Sequence, residues 1–107
     1  MKSYDVRWSH TAEIDLNNVL DYLSDKNIDA AMRVFAAITE KSETLAFLPE
    51  KGRMVPELHA QGISMYRELI YKNWRIIYRI TGSTVCILAC LDSRRNLEDL
   101  LLQRFLD

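Results

Sequence analysis

The sequence predicts an α+β fold with its helices and strands segregated along the chain. Three features carry this reading. Apolar residues recur at helical spacing from Ser9 to Phe47, and from Met65 to Leu91 they gather in runs rich in β-branched and aromatic residues. Of the 107 residues, 49% are hydrophobic, enough for one core. With three glycines, two prolines and no repeat or low-complexity tract, there is no room for a linker, and residues 1–107 are expected to form a single domain.

At the N-terminus Tyr4, Val6 and Trp8 alternate with Asp5 and Arg7, the period of a half-buried strand, and Ser9 offers a hydroxyl as a helix N-cap. Ala12, Leu16, Val19, Leu20 and Leu23 then form one apolar stripe, an amphipathic helix of about four turns. Ser24 to Asn27 breaks the stripe. Asp29 is the expected cap of a second helix, whose core face is read as Ala31, Val34, Phe35, Ile38 and Leu45. Pro49, Gly52 and Pro56 end the helical run and start an irregular connection through Ser64.

The next three runs, Met65 to Tyr71, Trp74 to Ile80 and Thr84 to Leu91, are separated by Lys72-Asn73 and Gly82-Ser83, giving a three-stranded antiparallel meander. Two-residue turns oppose Tyr71 to Trp74, Arg67 to Tyr78, Thr81 to Thr84 and Tyr78 to Ile87. One face then carries Leu69, Tyr71, Trp74, Ile76, Tyr78, Ile87, Ala89 and Leu91, with Arg67 at its end, and suits the helical hairpin. The other carries Ile70, Ile77, Cys86, Leu88 and Cys90 between Glu68, Arg75 and Arg79, which is too apolar for a fully solvated face. Leu97, Leu100, Leu101 and Phe105 on a short C-terminal helix, or a partner protein, must cover part of it.

Composition narrows the function. The N-terminus lacks the apolar stretch of a signal peptide and no window approaches a membrane span, so a cytoplasmic location is expected. On one strand Cys86 and Cys90 would share a face roughly 13 Å apart, too far for a disulfide, and two reduced thiols are expected. With His10 and His59 the only histidines, no metal site or cofactor is expected. The net charge of −1 disfavours direct nucleic-acid binding, although residues 51–95 hold eight Lys/Arg against three Asp/Glu.

Several segments, in order, resemble ParE-type toxins of the ParE/RelE toxin-antitoxin superfamily over nearly the whole chain. They are Ser9, Ala12, Asp15-Leu16 and Tyr22-Leu23; Leu45, Leu48-Pro49, Gly52-Arg53 and Pro56-Glu57-Leu58; then Tyr66-Arg67-Glu68-Leu69, Tyr78-Arg79-Ile80 and an Ile87-Leu88 strand ending near Arg94. The resemblance implies a β-α-α-β-β-β fold with a C-terminal helix. It also implies a cognate antitoxin that wraps the toxin and, for ParE members, inhibition of DNA gyrase without enzymatic activity. RelE-like members instead cleave mRNA on the ribosome, which requires proton transfer and stabilisation of a charged phosphate. Such members are strongly basic and often place a Tyr or His-Tyr pair near the C-terminus, whereas here no His or Tyr follows Arg95 and the pI is near 6.1. The ParE reading therefore leads; a RelE-like endonuclease and a non-toxic binding module on the same fold are the alternatives.

Candidate target contacts are Arg53, Arg67, Arg94 and Arg95. Arg94 and Arg95 match the position at which both branches carry a functional arginine. Arg67, at the edge of the core face, needs a carboxylate, and Glu57 or Asp15 could supply it. Candidate antitoxin contacts are Arg75, Ile77, Arg79, Cys86 and Leu88, with both guanidinium groups expected in solvent. His59 is read as a solvated loop histidine, and Trp8, Tyr71, Trp74 and Tyr78 as packing groups.

Overall fold

A computed structural model describes residues 3–94 and 96–105. Strand β1 (Asp5–Trp8) leads into helices α1 (His10–Lys26) and α2 (Ile28–Glu43), followed by a 3-10 turn (Thr44–Ala46). Strand β2 (Arg53–Met54) and the one-turn helix α3 (Pro56–His59) come next. Strands β3 (Tyr66–Tyr71), β4 (Trp74–Thr81) and β5 (Thr84–Asp92) form the meander, and helix α4 (Leu97–Phe105) follows. The α+β class and the order of the main elements are as predicted.

The sheet is wider than a meander. Its order is β1-β5-β4-β3-β2, with β1 parallel to β5 and the remaining pairs antiparallel. Alternation identifies β1 as a strand but is silent on its distant partner, and the two residues of β2 are too few to show a period. The connection expected to be irregular thus contains both β2 and α3.

Local chemistry sets the helix ends. Ser9 Oγ accepts from the Ala12 N–H at 3.1 Å. Asn27 serves both helices, donating its N–H to Leu23 O and accepting from Asp29 and Ala30 N–H through Oδ1. The cap expected at Asp29 is therefore Asn27, whose extended backbone (φ −160°) lets the side chain reach back over the first turn. Asp29 lies in that first turn, where its charge complements the helix dipole. The buried face of α2 is Ala31, Val34, Ile38 and Ser42. Phe35, expected in the core, is 49% exposed: it lies one residue, about 100°, around the helix from Val34.

Both meander turns are two-residue turns in the predicted register, with φ of 55° at Lys72 and 60° at Gly82. Between Ile77 and Tyr78 the β4–β5 register shifts: Tyr78 opposes Ile87 but Ile77 opposes Ala89, leaving Leu88 as a bulge. The bulge inverts the faces beyond it. Ala89 and Leu91, expected against the helical hairpin, pack with Ile77, Leu58, Leu97 and Leu101 beneath α3 and α4. Cys90 moves the other way, into the core of Leu16, Ile38, Ile76, Tyr78 and Ile87 beneath α1 and α2. The two cysteines therefore lie on opposite faces rather than one. Burial pushes the Cys90 thiol up to about 12.

Candidate functional site

Pairing register builds a buried ion network on the face under α3. Glu68 on β3 opposes Arg53 on β2 and Ile77 on β4, which puts Arg75, two residues from Ile77, diagonally across from Glu68. The Glu68 side chain is fully buried; Oε2 accepts from Arg53 Nε and Oε1 from Arg75 Nε, both at 2.6 Å. Arg75 completes its donors on Glu57 of α3, with two parallel bonds of 2.7 Å. Two cations and two carboxylates offset one another, which lets Arg75 be buried at 6% exposure. The hydrogen bonds from Arg75 hold the Glu57 carboxyl below its usual range, and Glu57 in turn raises Arg75.

On the other face, two side chains of the sheet clamp the loop before β2. Tyr78 donates its hydroxyl to Pro49 O at 2.7 Å and accepts from the Gly52 N–H at 2.9 Å. Arg67 Nη1 donates to Gly52 O at 2.8 Å and more weakly to Glu50 O at 3.3 Å. Arg67 is thus satisfied by backbone carbonyls. Neither carboxylate expected for it is available: Glu57 holds Arg75 across the sheet, and Asp15 accepts from Cys90 N–H and Arg104. A Cβ on Gly52 would sit 2.6 Å from both Glu68 O and Tyr78 Oη, so only glycine fits here.

Past Trp8 no strand among the described residues lies beside the outer edge of β5, and Asp15 of α1 takes the Cys90 N–H at 3.0 Å. Arg104 of α4 reaches the same carboxylate with bonds of 2.7 and 2.8 Å. Between α1 and α4 lies an open groove of about 480 Å³, lined by Tyr22, Trp74, Leu91, Arg94 and Leu100 among others. Arg94 is 67% exposed and bonds to Asp92, whose carboxyl it holds well below the usual range. Arg95 lies outside the described residues.

The proposed antitoxin contacts separate into covered and open groups. Ile77 is fully buried, because Leu97 and Leu101 of α4 pack onto it. Arg75 was expected in solvent, but two carboxylates hold it inside. Arg79 is exposed and has no carboxylate partner among the described residues, while Cys86 and Leu88 are half-buried. Strand pairing places Arg79 in a row across the sheet, Arg7–Cys86–Arg79–Tyr66. Tyr66 meets Phe105 of α4 at 4.8 Å between ring centroids.

Among the described residues no group of three His, Cys, Asp or Glu side chains is placed to hold a metal ion, and no helix is long and apolar enough to cross a membrane. His59 ends α3 as an exposed residue.

The family described as the ParE toxin of type II toxin-antitoxin systems, parDE, matches residues 6–97. The chain belongs to the ParE toxin family. Its fold is similar to a chain of the chromosomal ParDE toxin-antitoxin system from P. aeruginosa, with a TM-score of 0.68 and 19% identity over 84% of this chain and 96% of that one. It is also similar to a chain of the RelBE2 toxin-antitoxin complex from Mycobacterium tuberculosis, with a TM-score of 0.64 and 24% identity over 86% and 93%. At these identities the likeness is one of fold. A search of curated protein sequences gives no match.

Sequence reasoning missed Arg7, the Asp15–Arg104 pair and the role of Glu68. For Glu68 a signal existed, since alternation put it on one face with Arg75. For Arg104 none did, because 89 residues separate it from Asp15.

Proposed function

We propose that this ParE-family toxin inhibits DNA gyrase and is neutralised by a cognate antitoxin bound on the open part of the sheet. The observation that carries the choice of target is the state of the exposed arginines. Arg53 and Arg94 are each matched to a carboxylate of their own fold rather than adding to a cationic field. Arg53 is held by Glu68 through Nε alone and keeps its η nitrogens as a directed fork, while Arg94 gives both Nε and Nη2 to Asp92. Docking into ribosomal RNA rests on neutralising many phosphates, which a chain of net charge −1 is poorly built to do. Directed forks suit carboxylates on a protein.

For the antitoxin, the row Arg7–Cys86–Arg79 beside Leu88 combines the cation of Arg79 and an Arg7 bonded to Asp5 with apolar surface, and an acidic amphipathic tail would complement it. Arg7→Glu with Arg79→Glu should weaken the complex, more at low salt than at high salt. Equal affinities by titration calorimetry would move the antitoxin elsewhere.

The test of the target is gyrase supercoiling with and without the purified protein, run beside ribosome-dependent mRNA cleavage. Loss of supercoiling with intact mRNA is the expected result. Cleaved mRNA with undisturbed supercoiling would replace this reading with the RelE-like one.

A further inference from the structure

We propose that Glu68 is a positioning residue: by gripping Arg53 through Nε, it turns that arginine into a fixed fork whose free η nitrogens dock a carboxylate of the protein on which the toxin acts. The inference rests on the reading above that the target is a protein.

Three contacts in series fix the fork. Glu57 takes both η nitrogens of Arg75; Arg75 Nε holds Glu68 Oε1; and Glu68 Oε2, with no solvent exposure, holds Arg53 Nε at 2.6 Å. The Glu68 carboxylate cannot turn without breaking its bond to Arg75. Arg53 is 56% exposed even so, and no described residue bonds its η nitrogens. A free surface arginine loses much rotamer entropy on binding; one already held at Nε loses less and presents its remaining donors in one plane.

The surroundings favour a protein carboxylate over a nucleic-acid backbone. Arg53 stands on the two-residue edge strand β2, and on the same face of the neighbouring strand Ile70, diagonal to it, is 45% exposed, an apolar group that a protein surface can cover. Glu57 lies close enough to feel the charge of Arg53, and its negative charge beside that of Glu68 opposes a closely spaced run of phosphates more than a single carboxylate.

The full chain is used as Arg53→Gln, Arg53→Lys, Glu68→Gln and the double variant Arg53→Gln/Glu68→Gln. In gyrase supercoiling, the concentration for half-maximal inhibition should rise about tenfold in each single variant and no further in the double. Antitoxin affinity should stay within about twofold of wild type. By NMR, the Arg53 Nε–Hε signal should exchange slowly in wild type and be lost in Glu68→Gln, which a purely structural role for Glu68 would not require. Arg53→Lys leaves the core untouched and keeps the charge, so undiminished inhibition by it overturns the fork even if Glu68→Gln does not fold. Undiminished inhibition by a folded Glu68→Gln overturns the positioning role. A loss of antitoxin affinity without loss of inhibition assigns the carboxylate to the antitoxin and overturns the proposal. If wild type leaves supercoiling intact, the gyrase reading fails, and growth arrest of host cells expressing each variant without antitoxin replaces inhibition as the readout, with the same order expected. A wild type that also leaves growth unaffected overturns both.

Discussion

Asp15 and Arg104 meet in a bidentate ion pair of 2.7 and 2.8 Å that ties the last helix to the first across the edge of the sheet. Asp15 is only 9% exposed and also holds the Cys90 N–H. Arg104→Ala would strand that carboxylate, and it should destabilise the fold by about 2–4 kcal/mol, less than a fully buried pair because Arg104 is partly solvated. Urea unfolding beside the surface variant Arg79→Ala gives the comparison. Equal midpoints for the two would show that α4 is held by its apolar residues alone.

Leu16 and Phe35 should respond very differently to truncation. Leu16 is 8% exposed in the core under α1, and Leu16→Ala should cost about 2–5 kcal/mol by leaving a cavity. Phe35→Ala removes a side chain that is 49% exposed and should cost less than about 1 kcal/mol. Matching losses in denaturant melts would mean that Phe35 is packed after all.

Gly52→Ala should destabilise by about 1–3 kcal/mol, because the new methyl meets the backbone of Glu68 as well as the hydroxyl of Tyr78. Tyr78→Phe, which deletes the bonds to Pro49 O and Gly52 N–H, should cost a similar amount, about 1–3 kcal/mol. Combining the two should cost less than their sum, since the methyl no longer meets a hydroxyl. Full additivity in thermal unfolding would argue against a shared loop clamp.

Acid should weaken the network around Arg75. The folded-state pKa of Glu57 is depressed below its ordinary 4.5, so its contribution is fully present above that value and is lost as pH falls through the folded one. Glu57→Gln should therefore cost about 1–3 kcal/mol at neutral pH, with the gap to wild type closing below pH 4.5. A gap that stays constant from neutral pH to pH 3 would remove Glu57 from the acid transition.

Much of this architecture was legible in the sequence because period and turn chemistry are local. Ser9 read correctly as a cap, and both hairpin registers followed from Lys72-Asn73 and Gly82-Ser83. The bulge at Leu88 was not legible: one extra residue costs a strand little and leaves no compositional mark, yet it exchanged Cys90 with Ala89 and Leu91 between the faces. The site was less legible than the fold. Alternation placed Arg75 on the correct face, but its burial follows from Glu57 and Glu68, which only β2–β3–β4 pairing and the short α3 bring to it. The distinction between Arg75 and Arg79 is a matter of which end of the sheet the carboxylates of Glu57 and Glu68 reach.

The parallel pairing of β1 with β5 has a consequence for when the molecule becomes recognisable. Among the described residues β1 has no strand neighbour other than β5, and its residues Asp5 to Trp8 pair with Thr84 to Ile87, far along the chain. During synthesis the helical hairpin is made first, with its apolar face lacking a sheet, and such non-local pairing closes late. The row Arg7–Cys86–Arg79 draws on both ends of the sequence. It is assembled only once β5 has joined β1, so a partner that grips it would pass over fragments lacking residues 84–87.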